Sequence, residues 1–165
     1  MEEKINIAAI LKYKPNGIRL YSPIFGECTF CCVREDTNDI CVKKHNGVKE
    51  FFDSKGLYYN TGEVMLFPSK EMRDWEKFSW EKGDVLVNSR GLKILFDRWT
   101  NDNYTSFYAK TINLVEDGFL DTNLHTLASE KEAKSFVKCI EERFGGKLNL
   151  QTLEIQKQTE FKDGD

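Results

Sequence analysis

Five cysteines and two histidines are the residues of this 165-residue chain best suited to bind a metal or to act as nucleophiles. Cys28 and Cys31 form a C-x-x-C pair, followed by Cys41 and His45. A zinc knuckle needs a tight turn that directs both thiolates toward the same ion. The stretch from Cys28 to Cys32 instead has the pattern of a strand, in which Cys28 and Cys32 share one face and Cys31 points oppositely. We therefore predict small buried hydrophobic side chains here and no metal site.

The sequence contains no motif typical of acid–base or nucleophilic catalysis. His45 and His125 occur without a Gly-x-Ser-x-Gly elbow or another nucleophile motif. Asp97, Asp102 and Asp117 lack D-x-D or E-x-x-H spacing. A Walker loop and a dinucleotide-binding fingerprint are also absent from the sequence. The sequence therefore predicts no catalytic residue and no cofactor, and it contains no motif that supports an enzyme over a binding module.

Aromatic side chains make up 13% of the chain, and several have Lys, Arg or Asn neighbours. Small β-barrels that bind nucleic acids or peptides use exposed aromatic rings for stacking. The alternative interpretation is that most of these rings fill hydrophobic cores. The residues that we select as candidate binding residues are Tyr58, Tyr59, Arg73, Trp75 and Trp99.

Charge and apolar content bear on the partner and the location. The 24 basic and 27 acidic residues give a net charge of −3, without the basic excess typical of a nucleic-acid binder. A protein partner is therefore favoured over a nucleic acid. The sequence contains no signal-peptide pattern and no run of 18 apolar residues. With an odd number of cysteines, these features predict a cytoplasmic protein with reduced thiols and no membrane contact.

The first half of the chain alternates short strands with turns. Asn6 is placed to cap a short helix that ends at Pro15-Asn16-Gly17. Residues 18–67 then hold five or six short segments with strand character, including 57–59 and 63–67. This spacing favours a small, curved antiparallel sheet or SH3-like barrel.

Asn46-Gly47 is the clearest turn signal, because this pair suits a two-residue type I′ turn. The register that follows places Lys43 opposite Glu50 and Cys41 opposite Phe52. Opposite charges and apolar partners would then lie across from each other.

The second half repeats the strand pattern and then changes to a helix. Ser129 and Glu132 form a capping box, and the helix they open carries a hydrophobic face and ends at Gly145-Gly146. A terminal strand over 147–155 is expected to pack on this helix. The preceding strands are predicted over 84–88, 93–99 and 104–112.

These elements predict a mostly β, α+β chain built from tandem small curved antiparallel sheets or SH3-like barrels with one capping C-terminal helix. Residues 1–78 form the first module and 79–158 the second. The aromatic-x-x-Gly-Asp pattern at 80–84 recurs at 161–165. We therefore interpret residues 159–165 as the start of a truncated further module.

Five motifs along the chain belong together: Asn6 to Leu11 with Pro15-x-Gly17, Leu66-Phe67-Pro68-Ser69-Lys70 with Arg73-Asp74-Trp75, Gly83-Asp84, Ala128 to Glu132, and Phe161 to Asp165. Together they resemble a group of uncharacterised proteins common in gut Bacteroidales genomes and their prophages. The resemblance spans nearly the whole chain and implies a bacterial or prophage origin and this modular architecture, but no activity.

Two functions follow as expectations from these features. The first is a cytoplasmic, non-enzymatic module that binds another macromolecule, a protein rather than a nucleic acid. The second is an enzyme or sequestering protein for a nucleotide-like ligand, which requires a concave pocket where Lys or Arg converges on a phosphate.

Overall fold

Antiparallel β-sheet dominates the protein. The computed structural model describes residues 5–59 and 62–156. Of these residues, 37% lie in strands and 18% in helices, which confirms the predicted mostly β, α+β class. The sheets in this part of the chain are open, and none closes into a barrel. Within the same residues, no helix is long and apolar enough to cross a bilayer.

The chain divides into two compact units, each with its own core. The first comprises residues 1–79 together with 101–104, and the second comprises 80–100 and 105–165. The short loop 101–104 therefore groups with the first unit although its flanking strands belong to the second. The predicted start of a further module at 159–165 lies outside the described residues, as does most of the predicted turn at 60–62.

The first unit is a four-stranded meander with a short helix at each end. Its strands follow one another in the sheet in the order β1-β2-β3-β4. The predicted strands at 57–59 and 63–67 appear only as isolated bridges, Leu57 to Val64 and Tyr21 to Phe67. The elements are α1 (Ile7–Leu11), β1 (Arg19–Ser22), β2 (Gly26–Val33), β3 (Ile40–Lys44), β4 (Lys49–Phe52) and α2 (Trp75–Phe78).

The β3–β4 hairpin corrects the predicted register. Val42 lies opposite Glu50 and Cys41 opposite Phe51, a shift of one residue. Lys44 N donates to Val48 O, and Gly47 has a φ of 87°. Since only the glycine takes a positive φ, the loop is a type I turn followed by a G1 bulge rather than a type I′ turn.

Hydrogen bonds from side chains fix the segment that follows the sheet of the first unit. The indole N–H of Trp75 donates to Leu66 O at 2.8 Å. Ser69 Oγ donates to Asn103 O at 2.6 Å, and the Tyr104 hydroxyl donates to Arg19 O at 2.7 Å. These bonds attach both α2 and the 101–104 loop to the body of the unit, where their polar groups would otherwise be buried without partners.

The second unit is a five-stranded sheet with a helix and a small hairpin. The sheet order is β8-β7-β6-β5-β9, so β9 and β8 are its edges. The predicted terminal strand over 147–155 is instead a pair of short strands joined by a turn. The elements are β5 (Val85–Asn88), β6 (Lys93–Trp99), β7 (Ser106–Lys110), β8 (Glu116–Asp121), a 3₁₀ turn (Thr122–Leu124), β9 (His125–Leu127), α3 (Glu130–Phe144), β10 (Lys147–Asn149) and β11 (Glu154–Gln156).

Alternation along β5 and β6 gives this sheet a core on each face. On one face Val85 and Leu95 pack with Phe136 and Ile140 of α3. The other face is lined by Leu86 and by the aromatic residues Trp80, Phe96 and Phe107. The amphipathic helix and the aromatic cluster therefore cover opposite sides of the same strands.

Helix α3 begins and ends where the sequence predicts. Ser129 is the N-cap, and both hydrogen bonds of the capping box with Glu132 are formed. Gly145 closes the helix in the left-handed conformation, with φ 69°. Removing a capping side chain costs about 1 kcal/mol.

We expect Ser129→Ala to lower the free energy of unfolding by about 1 kcal/mol, because the first turn then loses a hydrogen-bond acceptor. Urea unfolding measured by circular dichroism tests this. Ser135→Ala, at an exposed position inside the same helix, is the matched control and should leave stability nearly unchanged. Equal stability of the two variants would contradict the role assigned to the cap.

Candidate binding surfaces

Tyr58 and Tyr59 form the sequence-predicted pair that the structure brings together. Their rings meet edge to face, with centroids 4.5 Å apart. Tyr59 is 82% exposed and has a φ of 53°, an unusual conformation for a bulky residue. Tyr58 is half-buried and packs on Phe25. The exposed Tyr59 ring therefore rests against the half-buried Tyr58 ring.

An ion pair holds the supporting ring in place. The Tyr58 hydroxyl donates to Glu50 Oε1 at 2.9 Å, and Lys44 Nζ lies 3.0 Å from Glu50 Oε2. The hydrogen bond to Glu50 raises the pKa of Tyr58 to about 12. Hydrogen bonds from Lys44 and Tyr58 lower the pKa of Glu50. The phenol therefore stays neutral and the carboxylate charged, which keeps this hydrogen bond formed at neutral pH.

The other three predicted residues have different surroundings. Arg73 is exposed, and its guanidinium lies 4.9 Å from the Phe67 ring centroid and 5.3 Å from that of Tyr21. Trp75 is buried in the core of the first unit. Trp99 is half-buried in the second unit and stacks on Trp80 at 5.9 Å. Arg73 thus contacts rings other than the Tyr58–Tyr59 pair, and Trp75 acts as a packing residue.

A polar cavity of about 230 Å³ lies in the first unit beside Arg19. Arg19 pairs with Glu27 at 3.0 Å and with Asp102 at 3.7 Å. Lys70 and Glu71 also line the cavity. Three carboxylates therefore face two cations here, which does not favour the phosphate of a nucleotide-like ligand.

A larger and more apolar groove runs beside α3 in the second unit, with a volume of about 490 Å³. We call it the α3 groove. Two exposed leucines form part of its walls: Leu127, which is 57% exposed, and Leu150, which is 41% exposed. The remaining lining residues are Gly83, Asp84, Val85, Ala128, Glu130, Ala133, Lys134, Val137, Lys138 and Glu141.

The periodicity of α3 decides which side chains reach this groove. Phe136 and Ile140 point into the core and fix the rotation of the helix. Ala133 and Val137, one turn apart, then form the apolar side of the groove. The next row, Glu130, Lys134 and Lys138, places two ammonium groups along the rim.

Gly83 permits the close approach of the opposite wall. Its φ is 97°, and a Cβ atom at this position would lie 2.5 Å from Leu150 O. Any other residue would combine a strained backbone with a steric clash. The glycine therefore allows Leu150 to lie close to the start of β5.

Two of the three acidic residues that line the groove accept hydrogen bonds from backbone amides. Asp84 Oδ2 accepts from Glu81 N at 2.8 Å, and Glu141 Oε2 accepts from Leu148 N at 2.9 Å. Burial raises the pKa of Asp84. Lys134 and Lys138 form no ion pair among the residues that the structure describes. The rim consequently offers its positive charges more readily than its negative ones.

The cysteine stretch differs from its prediction in two respects. A β-bulge between Phe30 and Cys32 interrupts the ladder of β2 with β3, so the expected common face of Cys28 and Cys32 was wrong. The expected burial was also wrong in part, because Cys28 is buried but Cys32 is exposed. No group of three or more His, Cys, Asp or Glu side chains in 5–59 and 62–156 is arranged to hold a metal ion.

Asp97 is a buried carboxylate at a second bulge, between Phe96 and Arg98 of β6. Arg98 lies 2.7 Å from Oδ2 and Lys82 lies 3.3 Å from Oδ1. Oδ1 nevertheless has no hydrogen bond of good geometry. The Lys82 ammonium neutralises the charge on Oδ1 as an ion pair. The side chains of both cations are about half exposed. Asp97 therefore holds two surface side chains in place and does not line a pocket.

Sequence reasoning missed the α3 groove. Its walls combine residues from β5, β9, α3 and the β10–β11 turn, which no local motif joins. The available signal was the helix itself, since Ala133 and Val137 lie at the border of its apolar stripe.

Comparisons with protein-family models, with curated proteins and with solved structures gave no match for this chain.

We expect Asp84→Asn to stabilise the protein more at pH 7 than at pH 3. The raised pKa means that burial opposes the charged form, so the penalty is absent below the pKa of the unfolded chain and complete above that of the folded one. The amide oxygen can still accept from Glu81 N. Melting temperatures at the two pH values, relative to wild type, measure the effect.

Asp117→Asn is the matched control, because Asp117 is an exposed carboxylate of the same unit. A stability difference for Asp84→Asn that is the same at both pH values would contradict the assigned burial penalty.

Proposed function

We propose that this chain is a non-enzymatic protein-binding module whose α3 groove docks a segment of another protein. The segment would carry two large apolar side chains next to an acidic residue. The observation that supports this most directly is an apolar groove whose walls, Leu127 and Leu150, are exposed. Cytoplasmic location and origin in Bacteroidales genomes or their prophages stay predictions from the sequence.

The apolar character of the groove favours a protein side chain as its occupant. Concave, mostly apolar sites with a few polar groups are the usual form of binding sites. Covering a leucine that is otherwise exposed contributes roughly 1.5–3 kcal/mol. Val137 and Ala133 extend the same surface along the helix, so a single apolar anchor would leave part of it uncovered.

The charges of the rim favour acidic residues beside the anchors. Lys134 and Lys138 are exposed and lie one turn apart. An Asp or Glu on the partner would complement them and fix the direction in which the segment binds. A nucleic acid is disfavoured, because Glu130 and Asp84 line the same groove and would repel a phosphate backbone.

Selection from a phage library of random 12-residue peptides tests this proposal. We expect enriched peptides to share two large apolar residues and a nearby Asp or Glu. Binding of a synthetic enriched peptide is then measured by fluorescence anisotropy. Leu127→Asp should weaken binding at least about tenfold, since one well-covered leucine contributes 1.4 kcal/mol or more.

Leu92→Asp is the matched control, because Leu92 is 62% exposed in the β5–β6 turn and does not line the groove. It should bind as wild type. Tyr59→Ala tests the aromatic pair predicted from the sequence. Loss of binding in Tyr59→Ala with full binding in Leu127→Asp would overturn the groove as the docking site.

Two other occupants are distinguished in the same series. If the groove were covered by a second copy of the chain, light scattering would show a dimer that Leu127→Asp dissociates. If residues 157–165 covered it, a chain ending at Gln156 would bind the enriched peptide more tightly than the full chain. Either result would contradict a groove reserved for another protein.

A further inference from the structure

The bulge in β2 places two consecutive cysteines of that strand opposite one cysteine of β3. Phe30 lies opposite Val42, whereas Cys32 lies opposite Cys41, so Cys31 is the extra residue of the bulged strand. In such a bulge two consecutive residues oppose a single residue of the neighbouring strand. Cys31 and Cys32 therefore both lie across from Cys41, in the two central strands of the four-stranded sheet.

The electrostatics of Cys41 agree with this backbone geometry, because both Cys31 and Cys32 contribute to the shift of its pKa. Burial, together with the nearby Cys31, raises the pKa of Cys41 to about 11. Burial likewise raises the pKa of Cys28 to about 12. Both buried thiols are consequently protonated at neutral pH, so neither is the thiol that reacts first with peroxide.

Solvent access differs among the three thiols of the cluster. Cys41 is buried, Cys31 is partly exposed, and Cys32 is exposed. A small oxidant therefore reaches the thiols of the bulge before it reaches Cys41. Cys41, across from Cys31, is then the second thiol of a disulfide. Opposed residues of neighbouring antiparallel strands are close enough for this bond, which needs Cα atoms about 4.4–6.8 Å apart.

We propose that the β2 bulge is an oxidation site at which hydrogen peroxide converts Cys31 and Cys41 to a cross-strand disulfide. The Cys31 sulfur attacks the peroxide, so that an S–O bond forms, the O–O bond breaks and water leaves with the thiol proton. The Cys41 sulfur then attacks the sulfenic acid: the S–S bond forms, the S–O bond breaks, and the hydroxyl leaves with the Cys41 proton as a second water. One peroxide is reduced and two thiols are oxidised.

This site is separate from the α3 groove, because its three cysteines belong to the first unit and the groove to the second. The disulfide would join β2 to β3 and enclose residues 31–41. A bond that closes this loop restricts the unfolded chain, so the oxidised protein should melt at a higher temperature than the reduced one.

Tryptic digestion after peroxide treatment tests the assignment in the full chain. Arg34 lies between the bulge and Cys41, so trypsin separates peptide 20–34 from peptide 35–43. We expect one equivalent of hydrogen peroxide to link these two peptides, with the loss of two of the five thiols. Reduction with dithiothreitol should restore both.

Three serine variants identify the partners. Cys31→Ser should lose the linked peptides, while Cys32→Ser should keep them. Cys139→Ser is the matched control, since Cys139 is an exposed cysteine of α3 and its removal should change nothing. Circular dichroism of each reduced variant confirms that it is folded.

Persistence of the link in folded Cys31→Ser would overturn the assignment of Cys31. Oxidation of wild type without any link between 20–34 and 35–43 would overturn the site itself. Oxidation of Cys139 as fast as that of the bulge would show that exposure alone governs the reaction. Peptide binding by the α3 groove is independent of all three results.

Discussion

Burial of the apolar stripe of α3 is the constraint on which the second unit depends. Phe136 and Ile140 pack with Val85 and Leu95 of the sheet. Since these contacts fix the rotation of the helix, they also decide that Ala133 and Val137 face the α3 groove. The same packing therefore provides both the stability of the unit and the shape of its proposed docking surface.

Most of the aromatic content is used in packing. Phe78 and Trp75 pack edge to face in the first unit, and Trp80 and Phe107 do so in the second. Such pairs contribute about 0.5–1.5 kcal/mol beyond their buried area. Among the described residues, fewer aromatic rings are exposed, as Tyr59, Tyr13 and Phe119 are. The Tyr59 ring is supported by its contact with Tyr58, and Tyr58 is in turn held by its hydrogen bond to Glu50.

Local chemistry explains why α3 was predictable from the sequence. The Ser129–Glu132 box and Gly145 specify its ends through bonds within a few residues. The β3–β4 hairpin was only partly predictable, because Asn46-Gly47 fits more than one tight turn. The observed register brings Lys44 within 3.0 Å of Glu50 and places buried Phe52 opposite buried Ile40. These pairings lie on both strands, so the turn residues alone do not select them.

Other features depend on contacts between distant segments. The bulge at Cys31 inserts one residue into an otherwise regular strand pattern, and no Gly or Pro marks it. The loop 101–104 joins the first unit through Tyr104 and Arg19, 85 positions apart in the chain. The α3 groove similarly combines four elements. Periodicity and turn signals report local preferences, whereas these arrangements are set by tertiary packing.

If the second unit binds a protein segment through the α3 groove, as we propose, the methyl groups of the groove must contact the bound segment. Methyl NMR of the full chain, recorded during titration with an enriched peptide, detects this contact. We expect shifts of the Leu127, Val137 and Leu150 methyl resonances and unchanged resonances for Leu92. Shifts confined to Ile24, an exposed residue of the first unit, with unperturbed groove methyls would rule out the groove as the binding site.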